Sequence, residues 1–145
     1  MSGPKDFSAT ARAVTATICG QTEVGPVRPG NQDAIVVVSA VAAVTGTRLT
    51  WTGRVPEAGA VVAVVDGMGG YAGGADAAAL AATALAEADP GRAPEDWDAW
   101  FEALSGRITR AGRAWDTPEM GATAAVLAIR PAGLVMTNVG DCRIY

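Results

Sequence analysis

An aspartate followed by glycines, Asp66-Gly67-Met68-Gly69-Gly70, comes directly after the apolar run Ala60-Val61-Val62-Ala63-Val64-Val65. A carboxylate at the end of so apolar a strand faces desolvation, which costs several kcal/mol unless a cation or dense hydrogen bonding compensates. Asp66 is therefore expected to be a metal ligand. A second cluster, Arg28-Pro29-Gly30-Asn31-Gln32-Asp33, puts a guanidinium and a carboxylate in one polar loop, suited to a phosphate clamp and a metal-water ligand. Met120-Gly121-Ala122-Thr123 opens a strand, and Asn138-Val139-Gly140-Asp141-Cys142-Arg143 closes another. Taken singly these have plain readings: Arg28 with Asp33 as a surface ion pair worth little, Gly140-Asp141 as a turn. Their order and spacing together are much harder to explain in those terms.

The chain has no histidine, which removes imidazole-based triads and zinc sites with histidine ligands. Oxygen ligands remain, and these suit hard cations such as magnesium or manganese. The glycine turn also has lookalikes. Gly67-x-Gly69-x-x-Ala72 matches the Gly/Ala form of the dinucleotide fingerprint, but Asp66 would set a negative charge beside the pyrophosphate. Gly69-x-x-x-x-Gly74 has P-loop spacing, yet Ala75-Asp76 stands where Lys and Ser or Thr are needed. A plain tight turn is the third reading.

Strands and helices alternate around these clusters. Val14 to Cys19 and Ala34 to Val44 are rich in Val, Ile and Thr and read as two strands separated by the turns Gly25-Pro26 and Pro29-Gly30-Asn31. Residues 45 to 59 predict a hairpin-like excursion around Trp51, and Val61 to Val65 a strand feeding the glycine turn. From about Ala75 to Ala88 an Ala- and Leu-rich segment predicts a helix ended by Pro90-Gly91. A second helix starts near Pro94 with acids Glu95, Asp96 and Asp98, as the helix dipole prefers. Its stripe Trp97, Trp100, Phe101, Leu104, Ile108, Ala111 and Trp115 is expected to pack on a sheet rather than bind a ligand. Thr123 to Ile129 and Leu134 to Val139 predict two more strands turning at Pro131-Ala132-Gly133.

With 145 residues, half of them hydrophobic, one core and one domain are expected. No apolar stretch approaches the roughly 18 residues of a membrane span and no signal-peptide pattern opens the chain, so a cytoplasmic protein is expected. Cys19 and Cys142 read as reduced thiols, and a net charge of −4 argues against nucleic acid or an anionic membrane as partner.

The segments Arg28 to Asp33, Val65 to Gly70, Gly121-Ala122-Thr123 and Val139 to Arg143 resemble, in order, those of the metal-dependent PPM-type (type 2C) serine/threonine protein phosphatases, in their bacterial branch. The resemblance implies an α+β fold, a four-layer α-β-β-α sandwich, carried here by its N-terminal part over residues 14–145, after a flexible stretch 1–13. It implies a centre of two Mg2+ or Mn2+ ions in which Asp66 bridges both and the Gly67 carbonyl ligates one. Asp33 would hold a metal through water, Arg28 would grip the phosphoryl oxygens, and Asp141 would help a weaker third metal. The implied reaction is attack of a metal-bridging hydroxide on phosphoserine or phosphothreonine. Tyr71, Ala122 and Cys142 depart from the family pattern at positions peripheral to the metals.

Family members continue beyond the strand that precedes Tyr145, and their later half supplies two further metal-binding aspartates. Two divalent cations about 4 Å apart repel by on the order of 16 kcal/mol at an effective dielectric of 20. Asp66 with a water-linked Asp33 does not offset that. The chain by itself is therefore expected to bind metal weakly and to turn over little phosphate, and to meet a complementing C-terminal half or associate with itself. A non-catalytic module that binds phosphoproteins through Arg28 is the alternative, and a dinucleotide-binding enzyme the third.

Overall fold

Residues 60–65 are an unbroken run of Ala and Val, which favours a strand, and burial alternates along residues 60–68, so the strand has two unlike faces. In the structure, a computed structural model describing residues 13–38, 40–43, 46–68 and 70–145, it is the centre of a five-stranded sheet. The elements in chain order are β1 (Thr15–Gln21), β2 (Asp33–Val37), β3 (Ala40–Ala42), β4 (Arg48–Arg54), β5 (Ala60–Met68), α1 (Gly70–Ala86), α2 (Asp96–Ala114), β6 (Gly121–Arg130) and β7 (Gly133–Val139). The sheet runs β3-β2-β5-β6-β7, antiparallel throughout, and β1 pairs with β4 in a separate antiparallel ribbon.

Ala34 and Val36 of β2, Val61, Ala63 and Val65 of β5, and Val126 of β6 form one face, against which α1 packs Ala77, Ala81 and Leu85. Trp97, Leu104 and Ile108 of α2 complete this core, so the aromatic stripe packs inward as expected, except that Trp115 caps the helix and is 53% exposed. On the opposite face the ribbon covers only part of the sheet, through Val55, Ala60 and Ile129 with Ile18, Trp51 and Leu127. Val64, Leu134 and Met136 stay more than half exposed there. The described residues thus hold three layers of the expected sandwich: helices, sheet and a partial second sheet.

Three sequence expectations change. The strand foreseen over 34–44 breaks at Val38, whose φ of 59° turns the chain so that β3 folds back on β2 with Val37 opposite Ala40. The excursion at 45–59 is largely β4, paired with β1 from Thr15↔Arg54 to Gln21↔Arg48. Helix α1 starts at Gly70 rather than near Ala75, running through two glycines that propensity disfavours. Packing overrides propensity: a Cβ on Gly73 would lie 2.6 Å from the Met120 Cβ, and one on Gly74 2.9 Å from the Gln32 side chain. Residues 1–12, most of the stretch expected to be loose, and Gly69 lie outside the described residues. No helix among the described residues is long and apolar enough to cross a membrane.

Candidate metal and phosphate site

The β2–β5 ladder places Asp33 directly opposite Asp66, and the β5–β6 ladder places Thr123 on the other side of Asp66. Directly opposed residues share a face, with Cβ atoms about 5 Å apart. Two carboxylates therefore stand side by side at one end of the sheet, on the face away from the helices. Burial pushes the Asp33 carboxyl above the usual carboxylate value of 3.8, the negative charge of Asp66 raises it further, and a side-chain hydrogen bond to Asp66 adds to the effect. Such a hydrogen bond needs a proton held between the two groups, which is what a cation would replace.

Asp66 itself is exposed, contrary to the expected desolvation, because β5 residues 64 and 66 face the side that the ribbon leaves open. The burial falls on Asp33 instead. Both line a cavity of about 240 Å3 with Arg28, Gly30, Asn31, Gln32, Gly67 and Val24. The sheet and the 28–32 loop thus bring four of the five expected site residues to one place: Arg28, Asp33, Asp66 and Gly67. Asp141 is not among the residues around that cavity; it sits exposed in the turn after β7. That turn lies at the same end of the sheet, since a Cβ on Gly140 would lie 2.5 Å from the Thr123 Cγ2, and the Cys142 Sγ is 3.0 Å from the Thr123 Oγ1.

Gly67 is the tightest point. A Cβ there would lie 2.0 Å from the Gly74 carbonyl oxygen and 2.6 Å from that of Gln32, so only glycine lets the end of β5 pass between α1 and the 28–32 loop. Its N–H donates to the Gln32 carbonyl at 2.9 Å, which ties the loop carrying Arg28 to the strand carrying Asp66.

Two supporting residues carry roles that motif reading did not assign. The Asn31 Oδ1 accepts from the backbone N–H of Asp33 at 3.2 Å, and its Nδ2 donates to the Thr22 Oγ1 at 2.8 Å and to the Asp33 carbonyl at 3.2 Å. This is the Asx-turn pattern, legible in principle from Asn at i and a strand start at i+2. Thr22, 3% exposed, had no such signal, because its partner is nine residues away.

All donors in the cavity are oxygens, the chemistry that a hard divalent cation takes. Among the described residues no group of three or more His, Cys, Asp or Glu side chains gathers, so the carboxylates number two. Two carboxylates with the Gly67 carbonyl fit a partial oxygen-ligand set for such a cation. A second cavity, about 210 Å3, lies on the helix side of the sheet between Met68, Phe101, Leu104 and Met120; its lining is mostly apolar, with Ser105 and Thr109, and holds no acid or base. The dinucleotide alternative fails on topology: β5 and β6, joined through α1 and α2, are antiparallel neighbours, so the glycine turn does not belong to a parallel βαβ unit.

No protein-family model matches the chain, and no curated relative does. Solved structures do. The serine/threonine phosphatase PstP/Ppp of Mycobacterium tuberculosis is similar over 88% of this chain and 47% of its own, with a TM-score of 0.59 and 25% identity. The serine/threonine phosphatase of S. agalactiae is similar over 88% and 49%, with a TM-score of 0.60 and 23% identity. The chain carries the fold of the bacterial PPM-type phosphatases and spans about half the length of the structures it matches.

Proposed function

We propose that this chain is the part of a metal-dependent protein phosphatase that binds the phosphoryl group and one side of the metal centre, with phosphoserine and phosphothreonine proteins as substrates. The observation that carries this reading is the Asp33↔Asp66 pair at the end of the β2–β5 ladder, in one cavity with Arg28. The likeness to serine/threonine phosphatases supports the reaction class.

Asp33 and Asp66 would hold Mg2+ or Mn2+, with the Gly67 carbonyl as a further oxygen donor. A divalent cation there supplies activation of water and neutralisation of charge on the phosphoryl oxygens. Arg28 reaches into the same cavity from the loop and presents a planar fork that fits two phosphoryl oxygens. Asn31 and the Gly67 N–H hold that loop against the strand, which places the Arg28 backbone beside the carboxylates. Asp141 would act on a further cation, one turn removed. With two carboxylates gathered among the described residues, metal binding by this chain alone would be weak.

Mn2+ titration by calorimetry, with turnover of a phosphoserine peptide, tests this. Expected are one weak divalent site lost in Asp66→Asn and phosphate competition lost in Arg28→Ala, with little turnover unless a polypeptide bearing further acids is added. Absence of any Mn2+ binding sinks the reading; robust turnover by the chain alone, abolished by Asp66→Ala, sinks the half-site part of it. A non-catalytic phosphoprotein-binding module is the second reading, favoured by the count of two carboxylates. It requires phosphopeptide binding that survives Asp66→Asn and is lost with Arg28→Ala.

A further inference from the structure

Three N–H donors at the other end of the sheet are buried without a hydrogen-bond partner: the Nε of Arg92, the Nε of Arg130 and the indole Nε1 of Trp97. They belong to one cluster. The Arg130 Nη1 donates to the Arg92 carbonyl at 3.3 Å, and the Arg92 guanidinium lies over Trp97 and Trp100, 5.6 and 5.9 Å from their ring centroids. Trp97 is fully buried and makes an edge contact with Trp100, so the platform under Arg92 is rigid. Among the described residues neither guanidinium forms an ion pair. Asp89, three residues before Arg92, spends its Oδ1 on the Gly91 N–H at 2.8 Å.

Two arginines joined through the Arg92 backbone carbonyl, partly out of water and without a carboxylate, leave charge unbalanced and donors unmet. An oxyanion relieves both. Stacking on indoles leaves the edge of a guanidinium free to face an anion, and its fork matches two oxygens at once. A carboxylate would balance one guanidinium, whereas a phosphate monoester, with a charge near −2, balances both. We propose that Arg92 and Arg130, braced by Trp97 and Trp100, form a second oxyanion site that takes a phosphoryl group.

This site is separate from the carboxylate pair. Arg130 ends β6 and Thr123, level with Asp66, stands seven positions earlier, so the two are about 23 Å apart at roughly 3.3 Å per strand residue. One phosphate cannot touch both ends. The site stands whether or not the protein is a phosphatase. Its phosphoryl group has two possible sources, the free anion or a phosphorylated side chain.

Calorimetric titration with inorganic phosphate, in EDTA and at constant ionic strength, provides the test. Saturable binding is expected, weakened at least tenfold in Arg92→Gln and in Arg130→Gln and unchanged in Arg107→Gln, an exposed arginine of α2. If a Gln variant melts before it can be titrated, the Lys variant replaces it, with at least threefold weakening expected because the fork is lost. A phosphoserine peptide then distinguishes the sources: affinity at least tenfold above inorganic phosphate, lost in the same variants, identifies a phosphorylated side chain, and equal affinity identifies the free anion. No saturable binding, binding indifferent to substitution at both arginines, or binding lost only with Arg28→Gln overturns the proposal.

Discussion

Asp33→Asn should make the metal-free protein more stable while removing its response to metal. The two carboxyl groups face each other across β2 and β5, about 5 Å apart by ladder geometry. At that distance unit charges repel by about 0.8 kcal/mol in water and about 3 kcal/mol at an effective dielectric of 20. Asp66 is exposed, so the lower end applies, and a gain of about 1 kcal/mol is expected at neutral pH in EDTA. For a domain of this size that is a rise of about 3 °C in Tm. The substitution is clean because Asn31 holds the backbone N–H and carbonyl of residue 33, not its side chain. Adding Mn2+ at ten times its Kd should stabilise the parent protein by about 1.4 kcal/mol and the variant by little. Thermal melts with and without Mn2+ read both quantities. A variant less stable than the parent in EDTA, or one stabilised by Mn2+ to the same degree, would refute the reasoning that the pair is a cation site held ready by mutual repulsion.

The pH dependence has a definite sign. The folded-state pKa of Asp33 is raised above 3.8, so its contribution is full below that value and is lost as pH rises through the raised folded value. In EDTA the advantage of Asp33→Asn should therefore open as pH climbs from 3.8 and flatten beyond the raised pKa, as denaturant melts across pH will show. Gly67→Ala drives a Cβ into two backbone carbonyls and should cost about 3 kcal/mol or more, whereas Gly106→Ala meets only the tip of Arg110 and should gain about 0.5 to 1 kcal/mol from helix propensity. Urea unfolding compares the two, and equal effects would show that the close approach at Gly67 is not real. Asn31→Ala strands the buried Thr22 hydroxyl and should cost about 1 to 3 kcal/mol, with Mn2+ affinity falling as the loop loosens.

The strand β5 was legible as a continuous Ala/Val run bounded by a glycine turn, and α2 as an apolar stripe at helical spacing, because both signals are local in the chain. Likewise the glycines and acids of the site were legible from their spacing. What could not be read lies in contacts between distant residues. The start of α1 at Gly70 depends on Met120 and Gln32, the break at Val38 on the return of β3, and the exposure of Asp66 on how far the β1–β4 ribbon reaches. The arginine pair at Arg92 and Arg130 had no signal in sequence, since 38 residues separate them.

The alternation of β5 makes the site and the core answer to one register. Val61, Ala63, Val65 and Gly67 face the helices while Val64 and Asp66 face the open side, and both sets are held by the same ladder to β2. A slip of one residue would turn Asp66 into the core and Val65 out of it, losing the carboxylate pair and the packing together. A misregistered chain is thus removed by its own instability before it can present a defective site. Selection for a stable fold, acting on residues outside the candidate site, proofreads the placement of those within it.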